Sequence, residues 1–180
     1  MCTQNKKALS TKEVVIFAML GSLMFGSKLI MEVLPNIHLL GMFTMTYTVA
    51  YRKKALIPIY IYVLLNGLYA GFNIWWIPYL YLWTVLWAVT MLLPRNMTKK
   101  AKCIVYPVIC ALHGLLFGTL YAPAQALMMG MSFKSTIAWI IAGLPWDAVH
   151  GAGNLVAGTL IYPLSELLRK LTKSDYAQAT

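Results

Sequence analysis

The chain has 180 residues, of which 60% are hydrophobic and only 11% charged. A soluble domain carries about 25% charged residues, so this composition excludes a single soluble core and points to an integral membrane protein of one domain. The net charge of +10 would suit a nucleic-acid binder, but the basic residues sit in short clusters between apolar segments, which excludes that class as well.

In chain order, residues 1–13 (MCTQNKKALSTKE) read as a polar, basic cytoplasmic tail. Apolar segments follow at about 14–34, 37–51, 55–72, 75–93, 103–121 and 146–168, and residues 172–180 read as a second cytoplasmic tail. No small-x-small cleavage site follows the first segment, so it is expected to be a retained helix. The second segment is short for a span. Pro58 stands near the start of the third, where a proline is tolerated. The connection from Ala122 to about Pro145 contains its own apolar piece, Ile137–Leu144, expected to dip into the membrane as a cap. The expected fold is therefore an all-α bundle of six transmembrane helices spanning 14–171.

Charge placement supports that count. Lys6, Lys7 and Lys12 precede the first segment; Arg52, Lys53 and Lys54 separate the second and third. Arg95, Lys99, Lys100 and Lys102 separate the fourth and fifth, and Arg169, Lys170 and Lys173 follow the sixth. With six spans these fall on one side, leaving only Lys28 and Lys134 of the 15 basic residues on the other. Under the positive-inside rule both termini are cytoplasmic, and the chain is a multi-pass protein of the cell membrane.

This orientation gathers polar and aromatic residues in the outer half. Asp147, His150 and Asn154 recur at spacings of three and four, which places them on one helix face. Pro145 just before them suits a first helical turn, where Asp147 would complement the helix dipole. Asn66, Tyr69 and Asn73 repeat the spacing near the outer end of the third segment. Trp75 and Trp76 suit an interfacial belt, while Trp76, Tyr79, Trp83 and Trp87 form a deeper stripe, with Leu80 as the alternative at the second place. His113 lies half-way along the fifth segment and Tyr121 at its outer end. The candidate substrate-binding residues are thus Asp147, His150, Asn154, Trp76, Tyr79, Trp83, Asn66, Tyr69, His113 and Tyr121. Rings, amides and one carboxylate favour a flat aromatic ligand, neutral or cationic.

Other chemistries find little footing. His38, His113 and His150 lie on different segments without a metal-binding spacing, and Cys2, Cys103 and Cys110 form no paired pattern. No G-x-S-x-G or nucleophile beside a base marks a catalytic residue. GSLMFGSK at 21–28 has Ser27 before Lys28, the wrong order for a phosphate loop, so the chain holds no ATP of its own. The same stretch reads better as Ala18-x-x-x-Ser22-x-x-x-Gly26, a stripe for close helix packing. Gly67/Gly71 and Gly114/Gly118 are similar pairs, and any of the three is a candidate for internal packing or for a partner.

The sequence resembles a substrate-binding S component of an energy-coupling factor (ECF) transporter. The likeness runs through nearly the whole chain: its size, six expected spans, basic loops and small residues along the first helix. AGLPWDAVHGAGNLVAGTLIYPLSELLRKL at 142–171 is similar to the last-helix region of that family, and HGLLFGTLYAP at 113–123 to the fifth helix of its thiamine-binding members. The resemblance implies capture of a vitamin-type small molecule from outside. It also implies docking on a transmembrane T subunit coupled to two cytoplasmic ATPases, which use the ATP, with no cofactor in this chain. The family's first helix usually carries Ala-x-x-x-Ala, here Ala18-x-x-x-Ser22, so Ala18, Ser22 and Gly26 are the expected docking residues. An intramembrane enzyme and a small self-contained secondary carrier are the alternatives. The missing nucleophile–base pair speaks against the first, and the short chain without an obvious repeat against the second.

Overall fold

A computed structural model of the chain describes residues 9–34 and 36–177. Cys2, Lys6, Lys7 and the last three residues of the expected C-terminal tail lie outside the described residues. Among the described residues the regular structure is all helical, without strands. Three stretches are long and apolar enough to cross a membrane: Thr11–Val33, Ile74–Leu92 and Lys99–Met129. Large apolar side chains such as Leu23, Leu64, Ile104 and Val156 stand on the outward faces, far more than a soluble monomer leaves uncovered.

Helix α1 (Thr11–Ile30) begins three residues before the expected segment. Its start is fixed by a capping box: the Ser10 hydroxyl accepts from the Glu13 N–H at 3.2 Å, and the Glu13 carboxylate accepts from the Ser10 N–H at 3.1 Å. Helix α2 (Leu40–Tyr51) is the short second segment, and it is short because it is the centre of the bundle. Residues Thr44 to Val49 are all buried, so no side of this helix faces out.

After a 3-10 turn at Arg52–Ala55, helix α3 (Leu56–Ala70) takes Pro58 into its first turn. A loop through Gly71, at φ 87°, leads to a 3-10 turn at Ile74–Trp76 and helix α4 (Tyr79–Leu92). Helix α5 (Lys99–Leu115) starts four residues before the expected segment because Thr98 caps the Ala101 N–H.

Beyond α5 the structure corrects the sequence reading. The expected connection at 122–145 is a helical hairpin. Helix α6 (Phe117–Met129) runs to Gly130, which closes it in the left-handed conformation, and Ser132 caps α7 (Phe133–Gly158). Ile137–Leu144 is therefore part of α7 and does not dip in as a separate cap. Pro145 stands in the middle of this 26-residue helix, where Asp147 is far from the dipole of its N-terminus. A proline reads as a helix start, yet one lost backbone bond is tolerated where neighbouring helices enclose the turn. The expected last segment also divides after Gly158, and α8 (Ile161–Ala177) carries the chain on.

Glycines set the closest contact, α5 against α7. A Cβ on Gly158 would lie 2.6 Å from Pro107 Cα, and one on Gly114 would lie 3.0 Å from Gly151 Cα. Van der Waals contact at such range is the main attraction between helices in a membrane. Gly67 is likewise filled, by Phe72 and Trp76. Gly21 of α1 faces Ile61 and Pro58 of α3, while Gly26 has no atom within 4 Å. Ala18 and Ser22 are exposed.

Arg52, Lys54 and Arg169 lie at one end of the bundle. Arg52 donates to the Met91 carbonyl at 2.9 Å and Arg169 to the Val49 carbonyl at 2.7 Å, satisfying the last turns of α4 and α2. Lys54 pairs with Glu13, and Arg169 with Glu166. Arg52 itself is held at φ 57°.

Candidate functional site

Trp83, one turn into α4, is only 1% exposed and stands at the end of the bundle opposite the arginines. Six helix or loop segments bring a ring to it or to its neighbours. Tyr62 of α3 lies 6.1 Å away between centroids, Tyr79 5.9 Å, His113 of α5 5.8 Å and Phe117 of α6 6.0 Å. His38, on the loop before α2, is 6.1 Å from Trp83 and 4.5 Å from His150 of α7, which in turn meets Phe117 at 4.8 Å. Contacts of this length between rings are the ordinary edge and tilted arrangements of aromatic packing.

The polar edges of these rings are less settled than their faces. His113 Nε2 lies 3.2 Å from the Leu82 carbonyl oxygen, but His113 Nδ1 has no partner. Buried and equally unpartnered are His38 Nδ1, His150 Nε2, Trp83 Nε1, the Tyr62 hydroxyl and Asn66 Oδ1. A buried polar atom without a hydrogen bond costs about 1–3 kcal/mol. Five of these six belong to the clustered rings, a concentration at one place that calls for an explanation.

Three cavities adjoin the cluster, one of them an apolar recess of about 240 Å³ that touches it only at His113. Of the remaining two, one of about 200 Å³ is lined by His38, Tyr79, Phe117 and His150, with Lys28 and Glu32 paired at 2.8 Å across its mouth. The other, about 380 Å³, lies between α6 and α7 against Tyr121, Gln125, Trp139 and Asp147. Asn36 and Phe117 border both. Asn36 is held at φ 57°, a conformation asparagine adopts more readily than most residues.

Asp147, His150 and Asn154 share one buried face of α7, as their spacing predicts, but they do different work. Asp147 accepts from the Gly118 N–H, at 3.0 and 3.2 Å to its two oxygens. Gly118 is in the first turn of α6, just past the break at Leu116, so Asp147 caps a helix N-terminus belonging to another helix. Asn154 lies deeper and donates to the Cys110 carbonyl at 3.2 Å. Only His150 enters the ring cluster.

The other sequence candidates also separate. Trp83, Tyr79 and His113 belong to the cluster, and Asn66 is buried on α3 one turn beyond Tyr62. Trp76 packs beside it with its indole N–H on the Val63 carbonyl at 2.8 Å. Tyr121 donates to the Trp75 carbonyl and stacks on Trp139, placing it at the second cavity. Tyr69 stands outside, 60% exposed on α3 with Lys28 over its ring. Trp87 lies toward the arginine end, donating to the Arg52 carbonyl at 3.1 Å.

Sequence reasoning missed Tyr62, Phe117 and His38 as site residues. Two of them carried a signal, because Tyr62 precedes Asn66 by four residues and Phe117 follows His113 by four, each on the face already chosen. Among the described residues no three His, Cys, Asp or Glu side chains gather as a metal site. Comparison with known proteins gives no match, whether to a family model, a curated protein or a solved structure.

Proposed function

We propose that the chain is the substrate-binding membrane subunit of an ATP-driven importer, in the manner of an ECF S component. It takes up a vitamin-type small molecule, a flat heteroaromatic, from outside the cell. In this reading the chain crosses the cell membrane six times with both termini in the cytoplasm. The ring cluster then opens outward and the arginine end faces the cytoplasm.

The observation that carries the proposal is the pair of buried, unpartnered imidazole nitrogens, His38 Nδ1 and His150 Nε2, on residues that line an open cavity beside the rings around Trp83. Such a set is costly for a purely structural core and suited to a ligand that completes it. Energy for uptake comes from two ATPase subunits through a T subunit. The exposed Ala18/Ser22 stripe is the surface offered to that subunit, since Gly67, Gly114 and Gly118 are filled from within the chain.

The test compares binding with transport. Purified chain in lipid nanodiscs is expected to bind its small molecule without ATP, and cells are expected to accumulate it only when the T and ATPase subunits are present. Accumulation by this chain alone would overturn the proposal in favour of a self-contained carrier.

A further inference from the structure

The cavity between α6 and α7 holds one charge and nothing to balance it. Its wall is mostly aromatic, with Phe117 and Tyr121 from α6 and Trp139 and Trp146 from α7. Tyr121 and Trp139 stack at 6.1 Å between centroids, and Phe117 tilts against Tyr121 at 6.2 Å. Asn36, Gln125 and Asp147 add polar side chains, while among the described residues no lysine, arginine or histidine lines this cavity. At about 380 Å³ it falls within the roughly 300–1,000 Å³ of ordinary ligand sites.

Asp147 is only 7% exposed, and capping α6 does not use up its carboxylate. The one Gly118 N–H reaches both oxygens, whereas a carboxylate has about four acceptor sites. Among the described residues the ion pairs are Lys28–Glu32, Lys54–Glu13 and Arg169–Glu166, so Asp147 has no cationic partner. A buried carboxylate without a counter-charge is strongly unfavourable, and within a membrane it calls for a partner.

The wall indicates what that partner is. Ring faces attract a cation, and a carboxylate among them supplies the opposite charge. A bare metal ion would need oxygen ligands on most sides, whereas rings suit a positive charge carried on an apolar body. We infer that this cavity binds the positively charged nitrogen of an organic cation, of pyridinium or ammonium type, with Asp147 as its counter-charge. Asn36 and Phe117 border both this cavity and the one at His38 and His150, so the charge site adjoins the imidazoles. This rests on the substrate-binding reading above and gives its ligand a charge.

Calorimetry on the full chain in nanodiscs tests it with one ring in three charge states. N1-methylnicotinamide is the cation, nicotinamide the neutral form and nicotinate the anion. The cation is expected to bind about tenfold or more tighter than nicotinamide, with nicotinate weakest. Asp147→Asn keeps an oxygen for the Gly118 N–H but removes the charge. It should erase the preference for the cation while lowering Tm less than Asp147→Ala does. Trp139→Leu removes a ring face without touching the cap, should reduce the preference severalfold, and decides the matter if Asp147→Asn does not fold. A neutral or anionic probe that binds as tightly as the cation, or a preference that survives Asp147→Asn in a folded chain, overturns the cation site. Either result leaves the substrate-binding reading standing. If no probe binds, mass spectrometry of the copurifying molecule decides. An organic cation sustains the inference, and a neutral or anionic molecule overturns it alone. Finding no retained molecule overturns it together with the substrate-binding reading.

Discussion

At the scale of single residues, Asp147 and His150 sit three positions apart and make opposite predictions. Asp147 ties the first turn of α6 to α7, so Asp147→Ala should destabilise the fold by about 1.5–3 kcal/mol, the worth of a hydrogen bond to a charged group. Thermal unfolding in detergent reads this as a lowered Tm. His150 makes ring contacts and leaves Nε2 unpartnered, so His150→Phe, which keeps a ring in the packing and removes the nitrogen, should weaken ligand binding about tenfold by calorimetry, with Tm little changed. Reversal of the two effects would exchange their roles. The sequence spacing made the shared face legible, since three- and four-residue steps leave little choice on a helix. The division of labour was not legible. It depends on Gly118, a residue 29 positions away that enters only when α5 breaks at Leu116.

At the scale of elements, α1 carries two glycines whose environments could hardly differ more. A methyl group on Gly21 would fall 2.5 Å from Ile61 Cγ2 and 2.9 Å from the Pro58 carbonyl oxygen, whereas Gly26 opens on free space. Gly21→Ala should therefore cost about 1–3 kcal/mol through overpacking. Gly26→Ala should stabilise α1 by roughly 0.5–1 kcal/mol, since alanine gives up less freedom in a helix. Paired unfolding curves check both signs. The outward stripe beside Gly26 gives a different expectation: Ala18→Leu with Ser22→Leu should abolish uptake in cells while the isolated chain still binds its ligand. Loss of binding in the folded double variant would mean that the stripe supports the pocket. Helix limits were legible wherever a polar cap or charge cluster stood at the end of an apolar run. They failed at 122–145, because Pro123 and Pro145 look like breaks while neither interrupts its helix. Periodicity cannot reveal that the helices packed around a proline make its lost hydrogen bond bearable.

At the scale of the whole molecule, Arg52, Arg169 and Lys54 stand at the end away from Trp83. Six crossings predict that Lys53→Cys and Lys134→Cys, each in a chain otherwise free of cysteine, react with an impermeant thiol reagent from opposite sides of the membrane. Labelling of both from the same side rejects six crossings. Composition made the all-helical fold and its membrane-spanning helices legible, whereas the ring cluster was legible only in part. His38 lies on a loop before α2, and no helical spacing connects it to Trp83. The cap that Asp147 places on α6 also has a consequence for biosynthesis. A ribosome that has delivered the chain as far as Met129 has already made Tyr62, Trp83, His113 and Phe117. At that point Asp147, which accepts from the Gly118 N–H, and His150, which meets His38 and Phe117, have yet to be made. Because both come from α7, the site is complete only after most of the chain has been made.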